Sequence, residues 1–128
     1  MPTILIVEDD PMIVEMLTAL LQMEGYTVIS ASHGIEGLAQ LQHHTVDLVL
    51  SDIYMPERDG VAFYRHLRAD PAYQALPFIF MSALPPRQLT TSDSHMGLLL
   101  KPLELNSLLS TITRMLNQKQ AESERRST

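Results

Sequence analysis

Apolar residues along the chain follow two alternating rhythms. Thr3 to Val7 (TILIV) is a β-branched run with few polar breaks, the pattern of a strand covered on both faces. Pro11 stands where a helix can begin, because a missing N–H costs nothing in the first turn. Ile13, Leu17, Leu20 and Leu21 then recur at helical spacing, and Gly25 ends the helix. Tyr26 to Ala31 (YTVISA) predicts a second strand and Ile35 to Leu41 a second helix, weakened by Gly37 inside it. Val46 to Ser51, Pro77 to Met81 and Leu98 to Leu100 predict three more strands. Val61 to Arg68 and Leu103 to Leu116 predict helices, the latter with an apolar face of Leu105, Leu108, Leu109, Ile112 and Leu116.

Strands that alternate with helices imply an α/β fold with a parallel sheet covered on both faces. Five strands suit the doubly wound order 2-1-3-4-5, whose crevice opens between the C-terminal ends of strands one and three. Residues 1–117 form one domain on this reading. Residues 118–128 (QKQAESERRST) turn polar and read as a tail or the start of a linker.

Composition narrows the function. At 128 residues the chain has the size of one domain, and it has no cysteine with which to form disulfides. No apolar run approaches the roughly 20 residues of a membrane span, and the start MPTILIVEDD lacks the form of a signal peptide. The expected setting is the cytoplasm, with no membrane partner. A net charge of -6 argues against direct nucleic-acid binding.

The candidate chemistry lies at strand ends. Strand one ends at Glu8-Asp9-Asp10 and strand three at Asp52, so the predicted topology brings these carboxylates to one crevice. Packed carboxylates repel, and a divalent cation relieves them; hard oxygen ligands without His or Cys favour magnesium. Ser82 and Lys101 follow strands four and five on the same edge. A lysine can neutralise a phosphoryl oxygen and a hydroxyl can donate to another. Taken singly, each residue has a plainer reading: EDD as a solvated turn capping a helix, Lys101 as a loop lysine, Ser82 as a turn hydroxyl. Their conjunction on one edge is far more specific. The five histidines show no metal-ligand spacing and read as mostly surface residues; the eight methionines read as core filler.

The stretches ILIVEDDP (4–11), SDIYMPERDG (51–60), PFIFMSA (77–83) and KP (101–102) together resemble the receiver domain of bacterial two-component response regulators. The likeness spans roughly residues 3–117. It implies the flavodoxin-like receiver fold and a phosphorelay signalling role, with Asp52 as the phosphoacceptor that forms an aspartyl phosphate. It further implies that Asp9, Asp52 and the backbone carbonyl of Tyr54 bind Mg2+ directly, with Glu8 acting through water. Ser82 and Lys101 would contact the phosphoryl group, and the Lys101–Pro102 bond would be cis. The chain would then be no general enzyme, catalysing only its own phosphorylation and dephosphorylation. Its implied partners are a histidine kinase or phosphotransfer protein, a C-terminal effector domain or downstream protein, and, as a further option, a second copy in a homodimer.

Two features depart from that pattern. Leu84 to Gly97 (LPPRQLTTSDSHMG), where the family carries its fourth helix, holds Pro85-Pro86 and little periodicity, which predicts a short or disordered helix. Leu98 stands where the family's switch aromatic usually stands. A competing function is therefore a phosphorylation-independent interaction module that keeps the acidic crevice. A hydrolase with Asp52 as nucleophile would need a substrate pocket, for which the chain leaves little room.

Overall fold

The computed structural model describes residues 1–53, 60–83 and 93–127. Strands β1 (Thr3–Val7), β2 (Thr27–Ala31), β3 (Leu48–Asp52), β4 (Phe78–Ser82) and β5 (Met96–Leu100) form one parallel sheet in the order 2-1-3-4-5. Helices α1 (Pro11–Met23), α2 (Gly34–His43), α3 (Gly60–Arg68) and α4 (Leu105–Ser127) pack on its faces.

The strands β1, β3 and β4 are apolar at nearly every position because helices cover both of their sides. Ile4, Ile6, Leu48, Leu50, Ile79 and Met81 point to one face, against Leu17 and Leu21 of α1 and Leu108, Ile112 and Met115 of α4. Leu5, Val7, Val49, Phe78 and Phe80 point to the other, against α2 and α3. There Phe63, Tyr64, Phe78 and Phe80 form an aromatic cluster with ring centroids 4.8–5.7 Å apart. Gly37, the residue that weakens α2 by propensity, allows this packing: a Cβ there would lie 3.0 Å from the Phe63 ring.

The helix ends have local causes. Asp10 caps α1 by accepting from the Met12 N–H at 3.0 Å, with Pro11 in the first turn. Gly25 follows α1 at φ 91°, a conformation that glycine adopts without strain. His33 caps α2, its Nδ1 accepting from the Glu36 N–H.

Several expectations are corrected. The strand β5 begins at Met96, not Leu98, so Met96 and Gly97 belong to the sheet. Among the described residues no helix lies between β4 and β5; residues 84–92 of the expected fourth helix fall outside them. The last helix does not end at Leu116 but runs from Leu105 to Ser127. On its inner face Met115 is buried, whereas Leu105 is exposed. The methionines are not all core: Met81 and Met115 are buried, but Met1, Met12, Met16 and Met23 are exposed. No described helix is long and apolar enough to cross a membrane.

Candidate functional site

The C-terminal edge of the sheet gathers five of the predicted residues. Each strand carries its polar residue just where the apolar run leaves the core. Glu8 follows β1 directly and is almost fully buried, while Asp9 beside it is exposed. Asp52 is the last residue of β3 and is also buried. One oxygen from each of Glu8, Asp9 and Asp52 can lie within 4.8 Å of the others. Lys101, one residue past β5, reaches over the edge. Its Nζ donates to Asp52 Oδ2 at 3.3 Å and to Glu8 Oε2 at 3.5 Å.

Ser82 ends β4 and is fully buried, one step beyond Met81, the register partner of Asp52. Its carbonyl accepts from the Lys101 N–H at 2.7 Å, which ties the loop after β5 to the end of β4. The Lys101–Pro102 bond is cis, as the sequence resemblance implies. The position of Tyr54, whose carbonyl is the fourth expected metal ligand, lies outside the described residues.

Electrostatics follow from this crowding. Burial, together with repulsion from Asp52, raises the Glu8 carboxyl from its ordinary 4.5 to about 7, although Lys101 pulls the other way. For Lys101 burial opposes the charge, but the attraction of Asp52 and Glu8 outweighs it and raises the ammonium's pKa. The site thus holds more negative charge than its single lysine neutralises. All its side-chain donors to a metal are carboxylate oxygens, a set that suits magnesium and not zinc or copper.

Gly60 also belongs to the site, through close packing and not through a backbone conformation special to glycine. Its φ is not in the left-handed region. A Cβ there would instead collide with the carbonyl oxygen of Asp52. The Gly60 N–H donates to the Ile53 carbonyl, so the first turn of α3 packs directly onto the backbone of the acid-bearing strand.

A second polar cluster went unnoticed in the sequence. Asp93 accepts from the Tyr64 hydroxyl at 2.6 Å and from Arg68 Nε at 2.7 Å. Desolvation opposes its charge, but these donors and the His95 N–H hold its carboxyl below the ordinary carboxylate range. Arg68 also donates to the carbonyls of Tyr73 and His95, and its guanidinium lies 5.0 Å from the Tyr64 ring centroid. His95 Nε2 lies 2.7 Å from Glu122 Oε2, so this histidine is not a plain surface residue, unlike His43, His44 and His66. The partners come from three elements without a shared spacing, and only the Tyr64–Arg68 step of four residues on α3 hinted at them.

Comparison with known proteins agrees with this geometry. The sequence model for "Response regulator receiver domain" matches residues 4–113. The chain is 33% identical over 118 residues to the transcriptional regulatory protein GlrR of Escherichia coli, covering 90% of this chain and 26% of GlrR. It is 35% identical over 121 residues to the sensor kinase CckA of Brucella abortus, covering 91% of this chain and 13% of CckA. The chain therefore spans a minor part of these relatives. Its backbone superposes on the Vibrio cholerae chemotaxis protein CheY4 with a TM-score of 0.82 at 30% identity, over 90% of this chain and 98% of that one. Fold, edge carboxylates and sequence thus converge, and the chain belongs to the response regulator receiver domain family.

Proposed function

We propose that Asp52 accepts a phosphoryl group from the phosphohistidine of a histidine kinase or phosphotransfer protein. The observation that carries this reading is the pairing of buried Asp52 with Lys101 at 3.3 Å, inside a cluster of three carboxylates at the sheet edge. An Asp52 oxygen forms a bond to phosphorus, the P–N bond to the imidazole breaks, and the leaving imidazole takes up a proton. Asp9 and Asp52 would hold magnesium directly, with Glu8 through water; the Tyr54 carbonyl completes the set that the family resemblance implies. The ion supplies charge neutralisation for the phosphoryl oxygens.

The chain's own residues do the rest. The packing of Gly60 against its carbonyl fixes the backbone of Asp52. Lys101 moves its charge from Asp52 to the arriving phosphoryl oxygens, and Ser82 donates its hydroxyl to another of them. No substrate cavity is needed, because the partner brings the phosphoryl group to an open edge. The chain so acts as a cytoplasmic signalling receiver that passes its state to an attached effector or a separate protein.

Incubation with acetyl phosphate and magnesium tests the reading. The expected result is one hydroxylamine-sensitive phosphoryl group per chain, abolished by Asp52→Asn. Undiminished labelling of that variant would remove Asp52 from the role. Absence of labelling in the unmodified chain would assign the domain to phosphorylation-independent interaction, and sustained phosphate release would assign a hydrolase.

A further inference from the structure

The last turns of α4 have no apolar reason to be there. From Asn117 to Ser127 (NQKQAESERRS) the one apolar residue is Ala121. An isolated helix of this length and composition is marginal in water. Yet the helix is continuous from Leu105 to Ser127. Its polar turns are held by side chains that reach distant parts of the fold. Gln118 Nε2 donates to the Ser94 carbonyl at 3.1 Å, Glu122 Oε2 lies 2.7 Å from His95 Nε2, and Lys119 Nζ lies 3.6 Å from Asp47 Oδ1.

Two of these three contacts end on one feature, the Ser94–His95 turn from which β5 starts. That turn is anchored in turn. The His95 N–H donates to Asp93 Oδ1 at 2.8 Å, and Asp93 is gripped by Tyr64 and Arg68 of α3. The Phe78 N–H donates to the His95 carbonyl at 2.9 Å, joining the turn to β4. The strand β5 is thus tied at its first end to α3 and to the polar turns of α4. At its far end the residue after it, Lys101, touches Asp52 and Glu8.

We propose that residues 118–127 form a detachable helical arm, docked by a latch of Gln118, Glu122 and His95 to the turn that starts β5. Arm and turn stabilise each other, because each supplies part of the other's partners. The coupling is reciprocal by thermodynamic necessity: whatever shifts the turn shifts the arm, and whatever binds the free arm shifts the turn. The latch stands on contacts within the chain alone. Its response to Asp52 rests on the function proposed above, since loading Asp52 gives Lys101 a new partner at the other end of the same strand.

Amide hydrogen exchange of the full chain tests the latch without any phosphodonor. His95→Ala and Gln118→Ala should each speed exchange about tenfold at the Met96 amide and at residues 119–124 together, the loss expected for one hydrogen bond. Amides of Leu108 to Met115 should keep their protection, which also shows that the variants fold. The glutamine variant is the sharper test. Alanine is the better helix former, so propensity alone predicts slower exchange in the arm. Faster exchange in the arm alone, or no change in either region, would overturn the latch. In a second measurement, beryllofluoride with magnesium should alter protection in both regions of the unmodified chain. Beryllofluoride binding at Asp52 with the arm unchanged would overturn the link to the site and leave the function standing. No binding at Asp52 would count against that function, while the exchange of the two variants still decides the latch.

Discussion

The buried carboxyl of Glu8 makes stability fall as pH rises through the near-neutral range. In the unfolded chain this group ionises around its ordinary 4.5, whereas in the folded domain it keeps its proton to about 7. Between those values the folded state binds more protons, so rising pH draws the equilibrium toward the unfolded state. Below the window both states are protonated and the group is neutral to stability; above it the folded state bears the full penalty. The move from 4.5 to about 7, at about 1.36 kcal/mol per pH unit, corresponds to about 3 kcal/mol. That is a large share of the roughly 5–15 kcal/mol of a whole domain. Glu8→Gln removes the titration and little else in shape. Urea denaturation of both proteins at pH 5, 6, 7 and 8, with chelator present, isolates the effect because every other titrating group is common to both. The variant should gain about 2.5 kcal/mol on the unmodified chain between pH 5 and pH 8. Saturating magnesium should close most of that gap, since a cation among the carboxylates stabilises the ionised form. Parallel stability curves for the two proteins would refute the reasoning.

Two other substitutions probe the same edge. Lys101→Ala leaves Asp52 and Glu8 without their counter-charge; it should cost about 1–2 kcal/mol at pH 8 in chelator, discounted for the partial exposure of the lysine. Most of that loss should return with magnesium, which thermal denaturation with and without the ion reads directly. Gly60→Ala places a Cβ against the Asp52 carbonyl, so it should cost about 2 kcal/mol or more and slow acetyl phosphate labelling, despite alanine's better helix propensity.

The sheet was legible because burial on two faces leaves a plain mark. A strand such as LVLSD must be apolar until it leaves the core, and the first carboxylate after it marks the edge. The strand order then juxtaposed Glu8, Asp9, Asp52, Ser82 and Lys101 without any side-chain geometry. What stayed hidden depends on contacts between elements. The requirement for Gly60 comes from the backbone of Asp52, which no local pattern encodes. The length of α4 was missed because its last turns lack an apolar period and are held by Ser94, His95 and Asp47, all at least 24 residues from the side chains they bind. The early start of β5 was missed for a similar reason: Met96 and Gly97 have weak strand propensity, and pairing with Phe78 and Ile79 decides the matter.

The distribution of burial also says which parts can answer a change at Asp52. The strand β3 is buried at all five positions and pinned on both sides by β1 and β4. Its end is locked further by Ile53, whose N–H donates to Met81 and whose carbonyl accepts from Gly60. Displacing it would break several buried hydrogen bonds and open the aromatic core, at a cost that repacking does not recover. By contrast β5 is an edge strand with Leu98 and Leu100 exposed, and among the described residues it pairs with β4 alone. Fewer buried contacts resist its movement, which places it at the low-stability end of the fold. Lys101 joins this compliant strand to the carboxylates of the rigid ones. A phosphoryl group on Asp52 would therefore leave β3 where it is and pull through Lys101 on β5. At position 98 a leucine has no polar tip to exchange partners, so under the proposed function the pull would pass along the backbone to the Ser94–His95 turn rather than through a rotating side chain.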